Sequence, residues 1–169
     1  MRHVISILLH NESGALARVA AMFANRGFNI QSLSVAPTDD ETISRLTLVT
    51  AGQDDVIAQI SKQLNKLIDV VAMVDMTADD HIERELGLIK VRSSAQGLAA
   101  LRQRADNFGA RVLDDRPEHF TLELTGSEQQ LDSFVATLPE GVHVLAVVRS
   151  GPMAISRGAQ SLVRPPPKD

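Results

Sequence analysis

The sequence contains no cysteine, no tryptophan and no tyrosine among its 169 residues. The absence of cysteine excludes a disulfide framework, a thiolate metal site and a cysteine nucleophile. Five phenylalanines are the only aromatic residues, so base-stacking platforms for nucleic acid are poorly supplied. The net charge of −4 and the lack of a basic tail also disfavour a nucleic-acid binder. No apolar run approaches the ~18 residues of a membrane-spanning helix, so no membrane association is expected.

Hydrophobic residues make up 44% of the chain, which is enough to form a packed core and to exclude global disorder. A strand-like pattern begins directly after the first three residues, which leaves no room for a signal or transit peptide. We therefore expect a cytoplasmic protein.

The hydrophobic pattern predicts the element order β-α-β-β-α-β, and it predicts this order twice with a period of roughly 80 residues. The first helix is marked by apolar residues at helical spacing: Leu16, Val19, Ala20 and Phe23. Gly27 follows it, and Gly109 follows the equivalent helix of the second half, at positions where a left-handed residue commonly closes a helix.

This repeat predicts an α+β protein with two ferredoxin-like βαββαβ domains, each placing two helices on one face of a four-stranded antiparallel sheet. The predicted boundaries are residues 1–77 for the first domain and 78–158 for the second. Residues 159–169 are predicted to form a flexible tail, and the chain from Gly151 onward is expected to be poorly packed. The uncovered sheet faces and edges need a partner, so we expect oligomerisation.

No catalytic constellation stands out in the sequence. The histidines lack any metal-ligand spacing, and no serine lies in a G-x-S-x-G context. The adjacent acidic pairs are expected to be solvated or to complement helix dipoles. We therefore predict no catalytic residue, no metal site and no bound cofactor in this chain.

The most informative segment runs from Asn11 to Leu16, between the first strand and the first helix. The first N–H groups of a helix lack intrahelical partners and can bind a carboxylate. Gly14 permits close approach of the backbone to a ligand, and the Asn11 amide can both donate and accept hydrogen bonds, which suits a zwitterion. The alternative is structural: Asn11 or Ser13 caps the helix, and Gly14 only relieves crowding.

A second polar residue, Asn29, stands where a strand normally has β-branched residues. If two copies of the chain pair through their helices and adjoining strands, Asn29 of one copy approaches Asn11 and Gly14 of the other. Ligand sites are frequent at such subunit interfaces.

Specific motifs in both halves resemble one family. The first half carries NESGALARV (residues 11–19), RGFNI (26–30) and SLSV (32–35), and the second carries ERELGLIKV (83–91), RSG (149–151) and SRG (156–158). Together they resemble the acetohydroxyacid (acetolactate) synthase small regulatory subunit, whose first domain is an ACT domain. The resemblance covers about residues 2–158. Ser13 stands where many ACT domains have proline, which is normal within the small-subunit group.

The resemblance implies a non-catalytic regulatory subunit of acetolactate synthase in branched-chain amino acid (valine and isoleucine) biosynthesis. It implies a homodimer that binds the large catalytic subunit, activates it and confers feedback inhibition by valine. Thiamine diphosphate, Mg²⁺ and FAD are then expected on the catalytic partner. The implied valine site lies between two ACT domains and comprises Asn11, Gly14 and Ala15 of one chain with Asn29 and Ile30 of the other.

Other classes stay open on the residues alone. A stand-alone ACT-type amino-acid sensor would regulate another enzyme or a transcription factor, and a ferredoxin-like enzyme or RNA-binding protein would use the same fold differently. The residue pattern does not distinguish valine, leucine and isoleucine as the effector. It also does not locate the surface that meets the catalytic subunit, for which the strand at residues 32–37 is a candidate.

Overall fold

The structure, a computed structural model, describes residues 1–165 of the chain. The chain is divided into two compact units. The first contains Met1–Glu83 together with residues 152–165, and the second contains Arg84–Gly151. The chain thus leaves the first unit once and later returns to it.

The first unit has the predicted ferredoxin-like topology. Its elements in chain order are β1 (Arg2–His10), α1 (Ala15–Ala24), β2 (Ile30–Pro37), β3 (Ile43–Ala51), α2 (Asp54–Leu64) and β4 (Val70–Asp75). The strands form an antiparallel sheet in the order β2-β3-β1-β4. This order makes β2 and β4 the two edges and β1 a central strand.

The core of the first unit lies between the sheet and the two helices. Ile5, Ile7 and Leu9 alternate along β1 and join Val19 and Phe23 of α1 in one buried cluster. Burial of each such side chain contributes about 1.5–3 kcal/mol. Of the four residues that predicted α1, Val19 and Phe23 therefore fasten this helix to the central strand, whereas Leu16 is exposed. Ala15 and Met22 complete the buried stripe.

The second face of the first sheet is covered in part by the chain's own C-terminal region. Strand β9 (Met153–Ser156) places Ala154 in a small buried cluster with Val4, Val49 and Met76. The expectation of a poorly packed chain from Gly151 onward is therefore wrong for residues 153–156. Four residues are too few to show a period, and their burial comes from contacts distant in sequence.

The second unit repeats the topology of the first. Its elements are β5 (His81–Ser93), whose first residues belong to the first unit, α3 (Leu98–Phe108), β6 (Arg111–Arg116), β7 (His119–Gly126), α4 (Glu128–Ala136) and β8 (Val142–Arg149). The strand order β6-β7-β5-β8 matches that of the first sheet. Phe108 and Phe134 meet edge to face in its core, with ring centroids 5.4 Å apart. Gly27 and Gly109 both have a positive φ, 70° and 67°, as the helix ends required.

The division into units differs from the boundaries predicted from sequence. The sequence predicts a boundary after residue 77, whereas the first unit extends to Glu83. Residues 152–158 group with the first unit although the sequence assigned them to the second domain. The predicted flexible tail lies in the first unit for residues 159–165, and residues 166–169 lie outside the described part of the chain. Within the described part, no helix is long and apolar enough to cross a membrane.

Candidate functional site

Asn11 lies directly after β1 and is tied to the turn between β2 and β3. Its backbone N–H donates to the Thr42 carbonyl at 2.8 Å, and its side-chain Nδ2 donates to the Glu41 carbonyl at 2.9 Å. The Asn11 side chain is exposed, and its Oδ1 atom accepts no hydrogen bond from residues 1–165. The turn therefore holds the amide in one orientation with its acceptor atom facing solvent.

Gly14 is the N-cap residue of α1 and has a φ of 86°, in the left-handed region. No side chain caps this helix, so the structural alternative, in which Asn11 or Ser13 caps it, is wrong. A residue with a Cβ atom is strained at this φ. Glycine is therefore required here by the backbone conformation itself.

Within residues 1–165, the amides at this helix start that have no hydrogen-bond acceptor are those of Leu16 and Ala17. The Ala15 N–H donates to the Glu12 carbonyl at 3.2 Å, and the first helical hydrogen bond runs from the Arg18 N–H to the Gly14 carbonyl at 3.0 Å. The two amides between them precede the hydrogen-bonded part of the helix and lie at its positive end, where a carboxylate binds well. The Ala15 side chain is buried in the core, so only its backbone can face a ligand.

Arg18 is a candidate site residue that the sequence reasoning missed. Its guanidinium donates from Nε and Nη2 to the Asp69 carboxylate at 2.5 and 2.7 Å. Nη1 of Arg18 lies 2.8 Å from the position that a Cβ atom would take on Gly14. The spacing of four residues between Gly14 and Arg18, one helical turn, was the signal that could have indicated this contact.

The Arg18–Asp69 pair keeps a positive charge beside the helix start. The side-chain hydrogen bonds from Arg18 lower the pKa of Asp69 against the opposing effect of its burial, and the hydrogen bond to Asp69 raises the pKa of Arg18. Asp69 is 4% exposed, whereas about half of the Arg18 side chain reaches solvent. The guanidinium is therefore held by a buried anchor and remains accessible to a ligand carboxylate.

Asn29 and Ile30 lie at the start of β2. The Asn29 carbonyl accepts a hydrogen bond from Thr50 Oγ1 at 2.7 Å, and the Asn29 side chain is exposed. Ile30 pairs with Thr50 in the sheet and packs against the main core of the first unit. This position combines an exposed amide side chain with an apolar neighbour.

Within one chain, the predicted site residues form two groups at opposite ends of the sheet. Ile30 pairs with Thr50, and Thr50 pairs with His3 at the start of β1, whereas Asn11 follows His10 at its end. The seven residue-to-residue steps from His3 to His10 span about 23 Å at ~3.3 Å per residue. The structure brings Asn11, Gly14 and Ala15 together and leaves Asn29 and Ile30 apart from them.

Comparisons with known proteins match nearly the whole chain. Residues 5–72 match the family described as the AHAS small subunit-like ACT domain, and residues 84–158 match the small subunit of acetolactate synthase. The chain is 43% identical over 163 residues to the acetolactate synthase small subunit of Haemophilus influenzae, covering 96% of this chain and 100% of that protein. It is 42% identical over 158 residues to the acetolactate synthase isozyme 3 small subunit of Escherichia coli, covering 94% of this chain and 97% of that protein.

A solved structure agrees with these relatives. The crystal structure of the acetolactate synthase small subunit from Thermotoga maritima is similar to this chain with a TM-score of 0.86 and 34% sequence identity. The similarity covers 94% of this chain and 98% of that chain. Both units therefore have counterparts in one relative of known structure.

The Arg18–Asp69 pair makes a prediction about acid stability. Asp69→Asn is expected to lower the free energy of unfolding at pH 7, because it removes a charged carboxylate that Arg18 stabilises in the folded chain. A folded-state pKa below the unfolded value stabilises the protein above that value, and the stability is lost as the pH falls through the folded pKa. The difference between variant and parent should therefore shrink below about pH 4.

Urea unfolding followed by far-ultraviolet circular dichroism at pH 7 and at acid pH measures this difference. The matched control is Asp79→Asn, at an exposed aspartate in the turn after β4, for which we expect little change at either pH. If the loss in free energy of unfolding in Asp69→Asn is equally large at acid pH, the variant has lost packing and not a charge interaction.

Proposed function

Because the chain belongs to the acetolactate synthase small-subunit family, we propose that it acts as a homodimer that binds valine and thereby inhibits the large catalytic subunit. As a member of this family it is a regulatory, non-catalytic subunit. The proposal extends to activation of a cytoplasmic catalytic partner, on which thiamine diphosphate, Mg²⁺ and FAD reside. It assigns the effector site to Asn11, Gly14 and Ala15 of one copy with Asn29 and Ile30 of the other.

The division of the site residues into two distant groups is the observation that carries this proposal. β2 is an edge strand, so two copies can pair their β2 strands antiparallel about a two-fold axis. Such pairing sets Ile30 of one copy beside Pro37 of the other. Pro37 pairs with Ser44, and Ser44 pairs with Leu9, just before the loop of Asn11. At each end of the joined sheet, the helix start of one copy (Asn11, Gly14 and Ala15) then lies at the same end as Asn29 and Ile30 of the other copy.

Exposed apolar side chains on β2 and at the start of α1 favour the same arrangement. Leu16, in the first turn of α1, is 37% exposed, and Val35, near the end of β2, is 40% exposed. Val35 pairs with Leu46 of the core face, so it lies on the side of the sheet that carries the helices. Covering both side chains with a second copy removes apolar surface from water and builds a wall for the effector.

The chemistry of the two groups suits a branched-chain amino acid. The Leu16 and Ala17 amides and the Arg18 guanidinium bind the carboxylate, and Oδ1 of Asn11 accepts a hydrogen bond from the ammonium group. Ile30 of the other copy contacts the isopropyl group, whose burial is worth about 1.5–3 kcal/mol. The polar groups fix the orientation of the amino acid, and the apolar wall selects a branched side chain.

Inhibition requires that valine bind the inhibited arrangement more tightly than the active one, because a ligand shifts only equilibria that it binds differentially. A coupling of about 1–3 kcal/mol is typical. The direct test measures the activity of the matched catalytic subunit with and without this chain across a valine titration. We expect higher activity with the chain and loss of that activity at high valine. An activity that is independent of this chain would contradict the proposal.

Two substitutions at the helix start test the effector site. Asn11→Ala removes a hydrogen bond to a charged group, worth about 1.5–3 kcal/mol, so the dissociation constant for valine should rise at least tenfold. Gly14→Asp adds a carboxylate where the effector carboxylate binds and a Cβ atom 2.8 Å from Arg18 Nη1, and it should abolish valine binding. Calorimetric titration of each variant measures the affinity, and the holoenzyme assay checks that activation is retained.

The control for Asn11→Ala is Asn65→Ala, at the C-cap of α2, which should leave valine affinity unchanged. Valine affinity that is unchanged in Gly14→Asp would remove Gly14 from the site. Equal losses in Asn11→Ala and Asn65→Ala would indicate a general loss of stability.

The proposed dimer predicts a specific effect of charge on β2. Val35→Glu replaces an exposed apolar side chain of β2 by a carboxylate and is expected to yield monomers. These monomers should no longer bind valine, because each holds only half of the site. The matched control is Val112→Glu, at an edge strand of the second unit, where the exposed fraction of 41% is nearly the same as the 40% of Val35. Sedimentation velocity and valine calorimetry on both variants decide the question, and dimeric Val35→Glu would exclude β2 as the interface.

A further inference from the structure

The C-terminal segment, defined as residues 159–165, lies against the first unit and forms one wall of a groove there. Ser161–Arg164 line a pocket of about 340 Å³ together with residues of β1, β3 and the turn between β2 and β3, among them Leu8, Ile43 and Arg45. Leu162 is half-buried there. The segment also lies beyond residue 158, where the match to the small-subunit family ends.

The segment is held by a hydrogen bond from the sheet. Nη2 of Arg45, a residue of β3, donates to the Leu162 carbonyl at 2.7 Å, and Nη1 of Arg45 lies 3.4 Å from the buried hydroxyl of Ser6. Arg164 lies 3.7 Å from Asp40, an exposed ion pair that contributes little by itself. The backbone contact to Arg45 is therefore the main polar anchor of the segment.

The turn beneath the segment also holds the effector loop. Asp40 Oδ1 accepts hydrogen bonds from the N–H and the hydroxyl of Thr42 at 2.9 and 2.6 Å, and the Asp40 carbonyl accepts from the Ile43 N–H. The next two carbonyls, those of Glu41 and Thr42, accept both hydrogen bonds from Asn11. Contacts thus run without a break from the C-terminal segment through the turn of residues 38–42 to Asn11.

We propose that the groove is a docking site for the chain's own C-terminal segment, and that the docked segment orders the turn of residues 38–42 and so prepares Asn11 for the effector. This inference rests on the proposed valine site. Because coupling between two binding events is reciprocal, valine must in turn strengthen docking of the segment by the same factor.

A truncated chain that ends at Gly158 tests the first half of this statement. Measured in the holoenzyme, truncation should raise the valine concentration for half-inhibition about fivefold and leave activation of the catalytic subunit unchanged. The matched control is Arg157→Gln in the full chain, since Arg157 pairs with Asp80 outside the groove, and it should leave valine sensitivity unchanged. Equal valine sensitivity of the full and truncated chains would overturn the inference and leave the proposed valine site standing.

A second substitution separates docking from a general disturbance of the sheet. Arg45→Met keeps the length of the side chain and removes its donors. It should weaken valine inhibition in the full chain and have no further effect in the truncated chain, because the acceptor at Leu162 is already absent there. Effects of Arg45→Met and truncation that add independently would overturn the inference.

The reciprocal effect is measurable because the chain has no cysteine. Val163→Cys, at a position that is 65% exposed, can be labelled with a fluorescent dye at this single site. Saturating valine should raise the fluorescence anisotropy of the label, and Asn11→Ala should abolish the response. A full-length dimer that binds valine without any change in anisotropy would overturn the coupling, whereas a chain that binds no valine would overturn the proposed function itself.

Discussion

The ion pair between Arg18 and Asp69 holds the start of helix α1, which carries half of the candidate site, against the sheet. Asp69 lies just before β4, and its carbonyl accepts a hydrogen bond from the N–H of His10 at the end of β1. Arg18 lies one turn into α1 and spans Gly14 to reach the carboxylate. The pair therefore links the first turn of α1 to the end of β1 and the start of β4. The buried Asp69 carboxylate holds the Arg18 guanidinium in one position, and the guanidinium stays charged there. A site that binds the carboxylate of a ligand requires both properties.

The sheet order imposes the second constraint on this protein. In the order β2-β3-β1-β4, the loop after β1 and the start of β2 lie at opposite ends of the strands. No rotation of side chains brings groups about 23 Å apart into one site. If both groups contact one small amino acid, they must come from two chains, and an antiparallel pairing of edge strands supplies that arrangement. The dimer and the effector site are then two consequences of one topology.

Most of the fold could be predicted from the sequence because its signals are local. The helical spacing from Leu16 to Phe23 and the glycines at positions 27 and 109 act within one element, and the repeat of the pattern supplied the second domain. The candidate residues Asn11 and Gly14 were found because a helix start has a local signature. Arg18 and β9 were missed because their roles come from contacts far along the chain, with Asp69 and with Val4. A hydrophobic period cannot report such contacts, since it records only which face of an element is buried.

A regulator without chemistry of its own must convert binding energy into a shift between two arrangements. A site enclosed within one rigid unit binds its ligand equally in both arrangements and shifts nothing. A site divided between two copies is complete in one relative placement of the copies and broken in another, so the affinity for the ligand depends directly on that placement. Two contacts of about 1–1.5 kcal/mol each that form in only one placement already supply the coupling of about 1–3 kcal/mol that is typical of allosteric proteins. In the proposed dimer, the separation of Asn11 from Asn29 in a single chain is therefore the property that allows this small protein to act as a switch.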